Sequence, residues 1–474
     1  MQPKVDKVRL GGMKNNLILV IMGATGDLAK LKLIPAIYNL LKINPALHIS
    51  LIGTGRSAVT IQSILDEAKK LVTDLDLTVW NRLCSSAYYV RLNFNNYPDY
   101  ENLRDKIKEI EKKESLSGNR LFYLATLPEH FEEATTNLAK VCLVNCKDER
   151  WERVLYEKPF GDSLHSARQI NKTIDKVFLE ENVYRVDHYL GKELVGNIAL
   201  LRFTNRILEP LWNNKNIDSV QIICDEDFGI KNRGNYYDKY GAVKDILQNH
   251  ILQILSLVAM ESPKFISGEY LRDEKVKVLK KTKIVDVLLG QYEGYNQEVG
   301  IKPDSLTETF FSAKLLVNNK RWKGVPFYVR AGKNLGKKQT VIHIRFKAVD
   351  CLLAKSCPAD NNYLTIRVEP NEGFSFELNS KSLRKGFEVE TVDMDYWHEC
   401  VNGVNTPEAY EILLEQAIAG EQSLFVRNDE VELAWKIVDK IKRDNLIVYK
   451  YPVGSSGPKE LTDWNKKNKL IWKS

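Results

Sequence analysis

The sequence predicts two domains of different fold class. The first, over residues 1–186, is α/β with a doubly wound parallel sheet, and the second, over residues 187–474, is α+β with one large, mainly antiparallel sheet. A chain of 474 residues is too long for a single hydrophobic core. Continuous apolar runs alternate with helical patterns up to about Val186, which is typical of a parallel sheet. Later segments alternate apolar and polar residues, as antiparallel strands do.

Composition is that of an ordinary globular protein. The chain is 44% hydrophobic and 28% charged, with a net charge of +7 from 69 Lys and Arg against 62 Asp and Glu. It has no cluster of Lys and Arg and no apolar stretch of membrane-spanning length, so we expect neither a nucleic-acid nor a membrane partner. The polar N-terminus is unlike a signal peptide, and the seven cysteines include no CxxC pair. We therefore expect a reduced, cytoplasmic protein without a metal site.

The first predicted strand and the turn after it form a candidate phosphate-binding site. The strand spans Asn16–Met22, and the sequence GATGDLAK follows it. Gly23 and Gly26 permit a tight turn and a close approach of a ligand. A strand, a glycine turn and a helix N-terminus together bind a pyrophosphate in Rossmann-like domains, although the GxxG spacing is equally that of a plain βα loop. The candidate cofactor contacts are Gly23, Ala24, Thr25, Gly26, Asp27 and Leu28.

The helix after this turn carries two further signals. Asp27 directly precedes Leu28, the first predicted helical residue, and aspartate is a common helix cap. Pro35 lies seven residues into the helix, where its ring clashes with a preceding carbonyl. We therefore expect a helix that is capped by Asp27 and that is kinked or interrupted at Pro35.

The end of the second predicted strand, His48–Ile52, indicates which dinucleotide is bound. A domain that binds NAD places an acidic residue near this strand end, where it holds the ribose 2′-hydroxyl. Here the strand is followed by GTGRS, which offers Arg56 and Ser57 but no acid. A guanidinium and a hydroxyl suit a 2′-phosphate, although Arg56 is equally explained as a surface arginine. We therefore expect NADP as the cofactor, with some use of NAD.

A lysine follows the predicted strand Arg153–Tyr156, in the segment EKPFG. Lys158 precedes a proline, which holds it in an extended conformation. Open α/β sheets bind their ligands at the carboxyl ends of their strands. Lys158 is therefore a candidate contact for both cofactor and substrate, the alternative being a solvated loop lysine.

The segment RVDHYLGKE, from Arg185 to Glu193, concentrates charged and polar side chains. His188, Tyr189 and Lys192 form a natural cradle for a phosphate dianion. Asp187 is a typical partner for a histidine that acts as a base. The alternative is a solvated, charged loop, because charges are costly to bury without partners.

Segments along nearly the whole chain, from about Leu17 to Pro458, resemble the glucose-6-phosphate dehydrogenase family and occur in the family's order. The resemblance implies a two-domain, NADP-linked enzyme that forms a homodimer or homotetramer. It also implies oxidation of glucose 6-phosphate at C1 to the 6-phosphogluconolactone, the first step of the oxidative pentose phosphate pathway. The matching segments are GATGDLAK, GTGRS, RLFYLATLP, EKPFG, RVDHYLGKE, LRFTNRILEPLW, KDILQNHILQ, RDEKVKVL, VPFYVRAGK, RVEPNE and PEAYEILL.

The resemblance implies a role for individual residues as well. His250 matches the family's catalytic base and Asp187 matches its partner. The phosphate cradle matches the three residues of RVDHYLGKE named above, and Lys338 stands where the family usually has a second cation. The positions that match sugar contacts are Lys158, Glu226, Asp245 and Lys333.

The predicted chemistry needs a base of near-neutral pKa, and histidine is the side chain suited to that role. Without the resemblance, His250 in an apolar helix would be equally explained as a core histidine. On an α-helix, the five residues from Asp245 to His250 at about 100° each leave these two side chains about 140° apart. We therefore expect both in one pocket only if Asp245 lies at the helix start.

The sequence departs from the family in two places. Many eukaryotic relatives have a second, structural NADP site on a basic strand, but here that strand reads QTVIHIRF, with Gln339 and His343 at positions expected to be basic. We therefore do not expect this second site. The family's glutamine in the RVxPNE segment is Glu369 here, which leaves a sugar contact at this position open.

Three other functions compete with the dehydrogenase. A non-catalytic NADP-binding sensor would lack the base or its partner, whereas Asp187 and His250 are both present. A nucleic-acid-binding protein would show a basic helix or an RNA-binding aromatic motif. An oxidoreductase for a related sugar phosphate differs only in substrate, so initial rates with glucose 6-phosphate and each cofactor distinguish it.

Overall fold

A computed structural model gives the fold of the chain and describes residues 16–144, 150–265, 267–348, 361–382, 389–397, 408–441 and 446–473. The described residues form a six-stranded sheet and a nine-stranded sheet, each covered by helices. The first sheet is parallel and the second is mainly antiparallel, which confirms the predicted fold classes. Within the same residues, no helix is both long enough and apolar enough to cross a membrane.

The first sheet has the strand order β3-β2-β1-β4-β5-β6, and all its strands pair in parallel. This is the order of a Rossmann sheet. Strands β1 and β4 are mostly apolar and are buried along almost their whole length because helices cover both faces of the sheet. The strands are β1 (Asn16–Met22), β2 (His48–Gly55), β3 (Ala87–Arg91), β4 (Arg120–Leu124), β5 (Glu152–Tyr156) and β6 (Val183–Arg185).

Helices pack on both faces of this sheet, and β1 shows how. Ile18 and Val20 point into one apolar cluster, whereas Leu17 and Leu19 point into the other. Side chains alternate along a strand, so a continuous apolar run fills two cores at once. The helices are α1 (Ile34–Ile43), α2 (Ile61–Lys69), α3 (Leu77–Ser85), α4 (Tyr97–Glu114), α5 (Phe131–Lys140) and α6 (Leu164–Asp175).

The helix after the glycine turn is interrupted, as Pro35 predicts. Ala29–Leu33 is π-helical, and α1 begins only at Ile34, with Pro35 in its first turn. A proline clashes with the carbonyl four residues earlier, and the wider π turn relieves such a clash. The prediction that Asp27 caps this helix is wrong. Asp27 itself lies in the first helical turn and is exposed, and no side-chain hydrogen bond caps the helix start.

The second sheet has the order β14-β13-β12-β11-β7-β10-β9-β8-β15. Among these described strands, β7 with β10 and β8 with β15 pair in parallel, and the other neighbours are antiparallel. The strands are β7 (Ile217–Asp225), β8 (Thr282–Tyr292), β9 (Phe310–Val317), β10 (Pro326–Gly332), β11 (Gln339–Phe346), β12 (Tyr363–Glu369), β13 (Gly373–Lys381), β14 (Val389–Trp397) and β15 (Val448–Tyr451).

A helix from the later part of the chain packs against the first sheet. The helices after β6 are α7 (Glu193–Phe203), α8 (Gly234–Ala242), α9 (Leu252–Ala259), α10 (Gly268–Lys281), α11 (Ala409–Ala419), α12 (Asn428–Val438) and α13 (Leu461–Lys467). Leu413 and Leu414 of α11 join the same apolar cluster as Leu17 and Leu19 of β1. The first sheet ends at Arg185 and the second begins at Ile217, so the domain division at residues 186 and 187 stays a prediction.

A π-helical segment, Val243–Ile251, lies between α8 and α9 and carries two of the predicted site residues. The chain turns sharply into it at Gly241, which has φ 64° and ψ 176°, a conformation that is almost exclusive to glycine. Glu308 then holds the start of the segment: its backbone carbonyl accepts from Ala242 N at 2.9 Å and its carboxylate accepts from Val243 N at 3.2 Å. This turn fixes where the π-helical segment begins.

Replacing Gly241 with alanine tests the importance of this turn. The new methyl group would lie 2.7 Å from the Glu308 carboxylate, in addition to the backbone strain. We expect a loss of about 1–3 kcal/mol in the free energy of unfolding, with a fall in activity, because the segment starts in a different direction. Gly324→Ala is the control, since Gly324 also has a positive φ but no neighbour within 4 Å. Equal destabilisation by both substitutions would contradict the role of the Glu308 contact.

Candidate active site

A cleft of about 580 Å³ lies between the carboxyl ends of the first sheet's strands and the second sheet. Residues from β12 and from the segments after β5, β6, β7 and β10 line it, together with the π-helical segment. It therefore brings together side chains that are far apart in sequence. Of the residues predicted to bind substrate or act on it, the cleft is lined by Lys158, His188, Tyr189, Lys192, Glu226, Asp245, His250, Lys333 and Lys338.

The centre of the cleft wall is a buried histidine–aspartate pair. His250 Nδ1 lies 2.5 Å from Asp187 Oδ1, and both side chains are almost fully buried. Burial by itself would raise the pKa of Asp187, but His250, His188 and Lys158 lower that pKa to about 2. The carboxylate is therefore ionised and accepts the Nδ1 hydrogen of His250. This fixes the tautomer in which Nε2 has a free lone pair.

Lys158 lies on the other side of the imidazole. Its Nζ is 2.7 Å from His250 Nε2 and 3.3 Å from Asp245 Oδ1. Burial lowers the pKa of His250, and Lys158 lowers it further, against the opposing effect of Asp187. The imidazole is consequently neutral at pH 7, and Nε2 is an acceptor. A substrate hydroxyl that reaches Nε2 meets both a proton acceptor and an ammonium group.

The π-helical segment explains how Asp245 and His250 serve one pocket. Hydrogen bonds in a π-helix join residues five apart, so positions i and i+5 lie above one another on the same face. Lys158 contacts both side chains. The 140° separation calculated for an α-helix is therefore wrong for this segment. Asp245 also lies in the first turn of the segment, which is the position that the sequence argument required.

The predicted phosphate cradle lies next to His250. The His188 ring centroid is 4.8 Å from that of His250, and the Tyr189 ring stacks on His250 at 4.1 Å. Lys192 Nζ lies 4.4 Å above the Tyr189 ring. Burial, followed by the nearby His250 imidazole and Lys158 ammonium group, lowers the pKa of His188 well below its usual value. His188 is therefore a neutral hydrogen-bonding group here, and Lys192 supplies the positive charge.

The remaining predicted contacts are paired with carboxylates. Lys333 forms an ion pair with Glu226. Lys192 and Lys338 both pair with Glu369 at the end of β12, Lys338 at 3.6 Å. Glu369 therefore lies at the predicted phosphate end of the cleft and contacts both lysines directly.

The glycine turn has the shape of a phosphate site but fewer free donors than expected. Gly23 has φ 104°, and a Cβ there would lie 2.5 Å from the Ala125 carbonyl, so only glycine fits. The N–H groups of Gly23 and Ala24 both donate to Thr54 O, at 3.0 and 2.8 Å, and Gly26 N donates to Gly23 O. Of the predicted cofactor contacts, Thr25, Asp27 and Leu28 therefore remain the candidates for backbone donation to a phosphate.

The predicted 2′-phosphate site lies at the end of β2. This strand runs to Gly55, three residues beyond the predicted end, because Leu92 N on the β3 side continues the pairing to Gly55 O. Arg56 and Ser57 follow and are exposed. Arg91 Nε donates to Arg56 O at 3.0 Å, so a second guanidinium lies beside Arg56. Arg91 was not named from the sequence. Its position at the end of the strand after β2 could have identified it as a neighbour of Arg56.

The structure adds a tyrosine to the cleft that spacing alone did not indicate. Tyr410, near the start of α11, lies parallel to the His188 ring at a centroid distance of 6.4 Å. It shares the buried carboxylate of Glu157 with Tyr123, whose hydroxyl donates to Glu157 Oε1 at 2.5 Å. Burial raises the pKa of Glu157 to about 7 despite these bonds. In the sequence, Tyr410 was marked as a candidate only by its place in PEAYEILL, one of the segments that resemble the family.

A Rossmann sheet combined with a buried, aspartate-oriented histidine at the carboxyl ends of its strands defines a dinucleotide-dependent oxidoreductase. Comparison with known proteins gives the family. The family model for "Glucose-6-phosphate dehydrogenase, NAD binding domain" matches residues 20–197, and the model for the "Glucose-6-phosphate dehydrogenase, C-terminal domain" matches residues 199–473. The chain belongs to the glucose-6-phosphate dehydrogenase family.

Individual relatives match over almost their full length. Glucose-6-phosphate 1-dehydrogenase from Chlamydia muridarum is 37% identical, with 96% of each chain covered. The Bacillus subtilis protein of the same name is also 37% identical, over 96% of this chain and 98% of its own. A solved glucose-6-phosphate dehydrogenase in complex with glucose 6-phosphate has a TM-score of 0.89 and 33% identity, covering 97% of this chain and 99% of that one.

Substitutions at the histidine–aspartate pair test the proton-transfer role. We expect His250→Asn to lower kcat by about 10²–10⁴-fold, because a general base is lost. Asp187→Asn should lower kcat by a smaller factor, since it removes orientation but leaves the imidazole. His343→Asn is a matched control: His343 is also buried, bonds to Thr365 at 2.9 Å, and lies on β11 away from the pair. A folded His250→Asn enzyme that keeps more than about a tenth of wild-type kcat would rule out His250 as the base.

Proposed function

We propose that the protein oxidises D-glucose 6-phosphate at C1 to 6-phospho-D-glucono-1,5-lactone with hydride transfer to NADP, as the first step of the oxidative pentose phosphate pathway. The observation that carries the proposal is the His250–Asp187 pair, whose unprotonated Nε2 contacts Lys158 in a cleft that is also lined by Lys192, Lys333 and Lys338. Membership of the glucose-6-phosphate dehydrogenase family supports the same reaction.

His250 performs the proton transfer. Its Nε2 takes the proton of the C1 hydroxyl, the electron pair of that O–H bond forms the C1 carbonyl, and hydride leaves C1. The bound nicotinamide supplies the hydride acceptor. Asp187 stabilises the imidazolium that forms, because its carboxylate is already hydrogen-bonded to Nδ1. Lys158, at 2.7 Å from Nε2, supports the developing negative charge on the substrate oxygen.

The substrate lies across the cleft with its phosphate at the Lys192 end. His188, Tyr189 and Lys192 hold the phosphate, and Lys338 adds a second ammonium group. The sugar hydroxyls are held by Lys158, Asp245, Glu226 and Lys333. The two ion pairs Lys158–Asp245 and Lys333–Glu226 offer both donors and acceptors, which suits a polyhydroxylated ring.

The residues at the ends of β1 and β2 fit a dinucleotide. The turn at Gly23 leaves no room for a side chain, and the helix after it presents its first turn to a phosphate. Thr25, Asp27 and Leu28 would hold the pyrophosphate. The exposed Arg56 and Ser57 would hold a 2′-phosphate, with Arg91 supporting the loop from β3.

The chain is a cytoplasmic homodimer or homotetramer. The family resemblance supports assembly. The second sheet also exposes large apolar side chains near its β14 edge, including Leu378, Val392 and Met394. A relative named as a cytoplasmic glucose-6-phosphate 1-dehydrogenase, from Arabidopsis thaliana, is 39% identical over 94% of this chain and supports the location.

Substrate specificity is tested by comparing phosphorylated and free sugar. We expect glucose 6-phosphate to be oxidised much faster than glucose. Lys192→Ala should raise KM for glucose 6-phosphate by roughly 10- to 150-fold, because one charge-assisted bond to the phosphate is worth about 1.5–3 kcal/mol. The KM for free glucose should hardly change. The proposed substrate site would be contradicted if the wild-type enzyme is inactive with glucose 6-phosphate. It would also be contradicted if Lys192→Ala raises KM equally for glucose 6-phosphate and for glucose.

Cofactor choice is tested at Arg56. Arg56→Ala should raise KM for NADP by roughly 10- to 150-fold, because the 2′-phosphate loses a charge-assisted partner worth about 1.5–3 kcal/mol. NAD lacks that phosphate, so its kcat/KM should stay near the wild-type value. The measurement is kcat/KM for both cofactors in the wild type and the variant. If kcat/KM falls equally for both cofactors, Arg56 contacts a part of the dinucleotide that NAD and NADP share, and the 2′-phosphate site lies elsewhere.

A further inference from the structure

Glu369 lies where the phosphate of the substrate is expected. It is the last residue of β12 and pairs across the sheet with Thr340 of β11, whose hydroxyl is 3.4 Å from that of Tyr189. Glu369 is therefore next to the phosphate cradle by backbone position as well as by side-chain contact.

The carboxylate of Glu369 bridges two ammonium groups, those of Lys192 in the cradle and of Lys338 beside it. One oxygen pairs with Lys192 and the other lies 3.6 Å from Lys338. A phosphate bound by His188, Tyr189 and Lys192 needs the same ammonium group that Glu369 holds. Two ammonium groups and one carboxylate leave one net positive charge to meet a phosphate that carries about −1.5 to −2 charges at pH 7.

The side chains differ in how freely they can move. Lys192 has 12% of its side chain exposed, whereas Glu369 has 31% and Lys338 has 49%. A mostly buried ammonium group is costly to leave unpaired, so Lys192 needs an anionic partner when no substrate is present. Glu369 is exposed enough to turn toward solvent and release Lys192.

We propose that Glu369 is an internal competitor for the substrate's phosphate: it neutralises Lys192 and Lys338 in the free enzyme and is displaced when a phosphate binds. This inference rests on the proposed function for the identity of the substrate. Because it competes for Lys192 and Lys338, Glu369 makes phosphorylated sugars bind more weakly than they would to the two lysines alone. It also keeps Lys192 paired while the cleft is empty.

The test is Glu369→Gln, which keeps the size of the side chain and removes its charge. We expect the Kd for inorganic phosphate, measured by calorimetry, and the KM for glucose 6-phosphate each to fall by about tenfold, with little change in kcat. Without phosphate the variant should have a lower Tm than the wild type, because Lys192 loses its partner. Added phosphate should then raise its Tm by more than it raises that of the wild type.

Glu408→Gln is the matched control. It removes the same charge from the wall of the same cleft, but Glu408 pairs with Lys32 at 2.8 Å and not with the cradle lysines. Unchanged or weaker phosphate binding by folded Glu369→Gln would overturn the proposal, and so would an equal gain in Glu408→Gln. Phosphate binding is measured without turnover, so failure of this inference is distinguishable from failure of the proposed reaction. Glu369→Ser also removes the carboxylate, so it must lower the Kd for inorganic phosphate and the KM for glucose 6-phosphate, as Glu369→Gln does.

Discussion

The buried hydrogen bond between Asp187 and His250 joins the two halves of the structure. Asp187 follows the last strand of the first sheet, and His250 lies in the π-helical segment among the helices that cover the second. An ionised carboxylate at this depth is stable only with hydrogen-bond partners, and His250 Nδ1 and Tyr189 N both donate to it. The bond with His250 leaves Nε2 unprotonated toward the cleft, so one interaction serves both packing and chemistry.

Charge pairing is the second constraint on the cleft. Lys158, Lys333 and Lys192 each have a carboxylate within ion-pair distance, from Asp245, Glu226 and Glu369 respectively. Such pairs hold the side chains in place before a substrate arrives, and they lower the net positive charge that a phosphate meets. In the proposed function, a substrate phosphate therefore replaces a carboxylate on a cation that is already in place.

Much of the fold followed from sequence because short-range patterns determine it. Apolar runs such as Asn16–Met22 identified buried strands, and Pro35 identified the break in the first helix. The π-helical segment did not follow, because its i→i+5 bonding depends on the turn at Gly241 and on Glu308, which is distant in sequence. The alternative interpretation of RVDHYLGKE, a solvated loop, does not hold, because contacts with other segments bury much of it. Arg185 is fully buried, and its partners Glu180 and Asn171 come from other segments.

The pH dependence of kcat/KM for glucose 6-phosphate tests the central pair most directly. Burial and Lys158 lower the pKa of His250 while Asp187 raises it, so the acidic limb of the wild-type profile should lie below pH 6.5. Lys158→Met removes a lowering charge, and the limb should move to higher pH. Asp187→Asn removes the raising charge, and the limb should move to lower pH. Opposite shifts in the two variants are the result that our account predicts. Shifts in the same direction, or an unchanged limb in both, would contradict it.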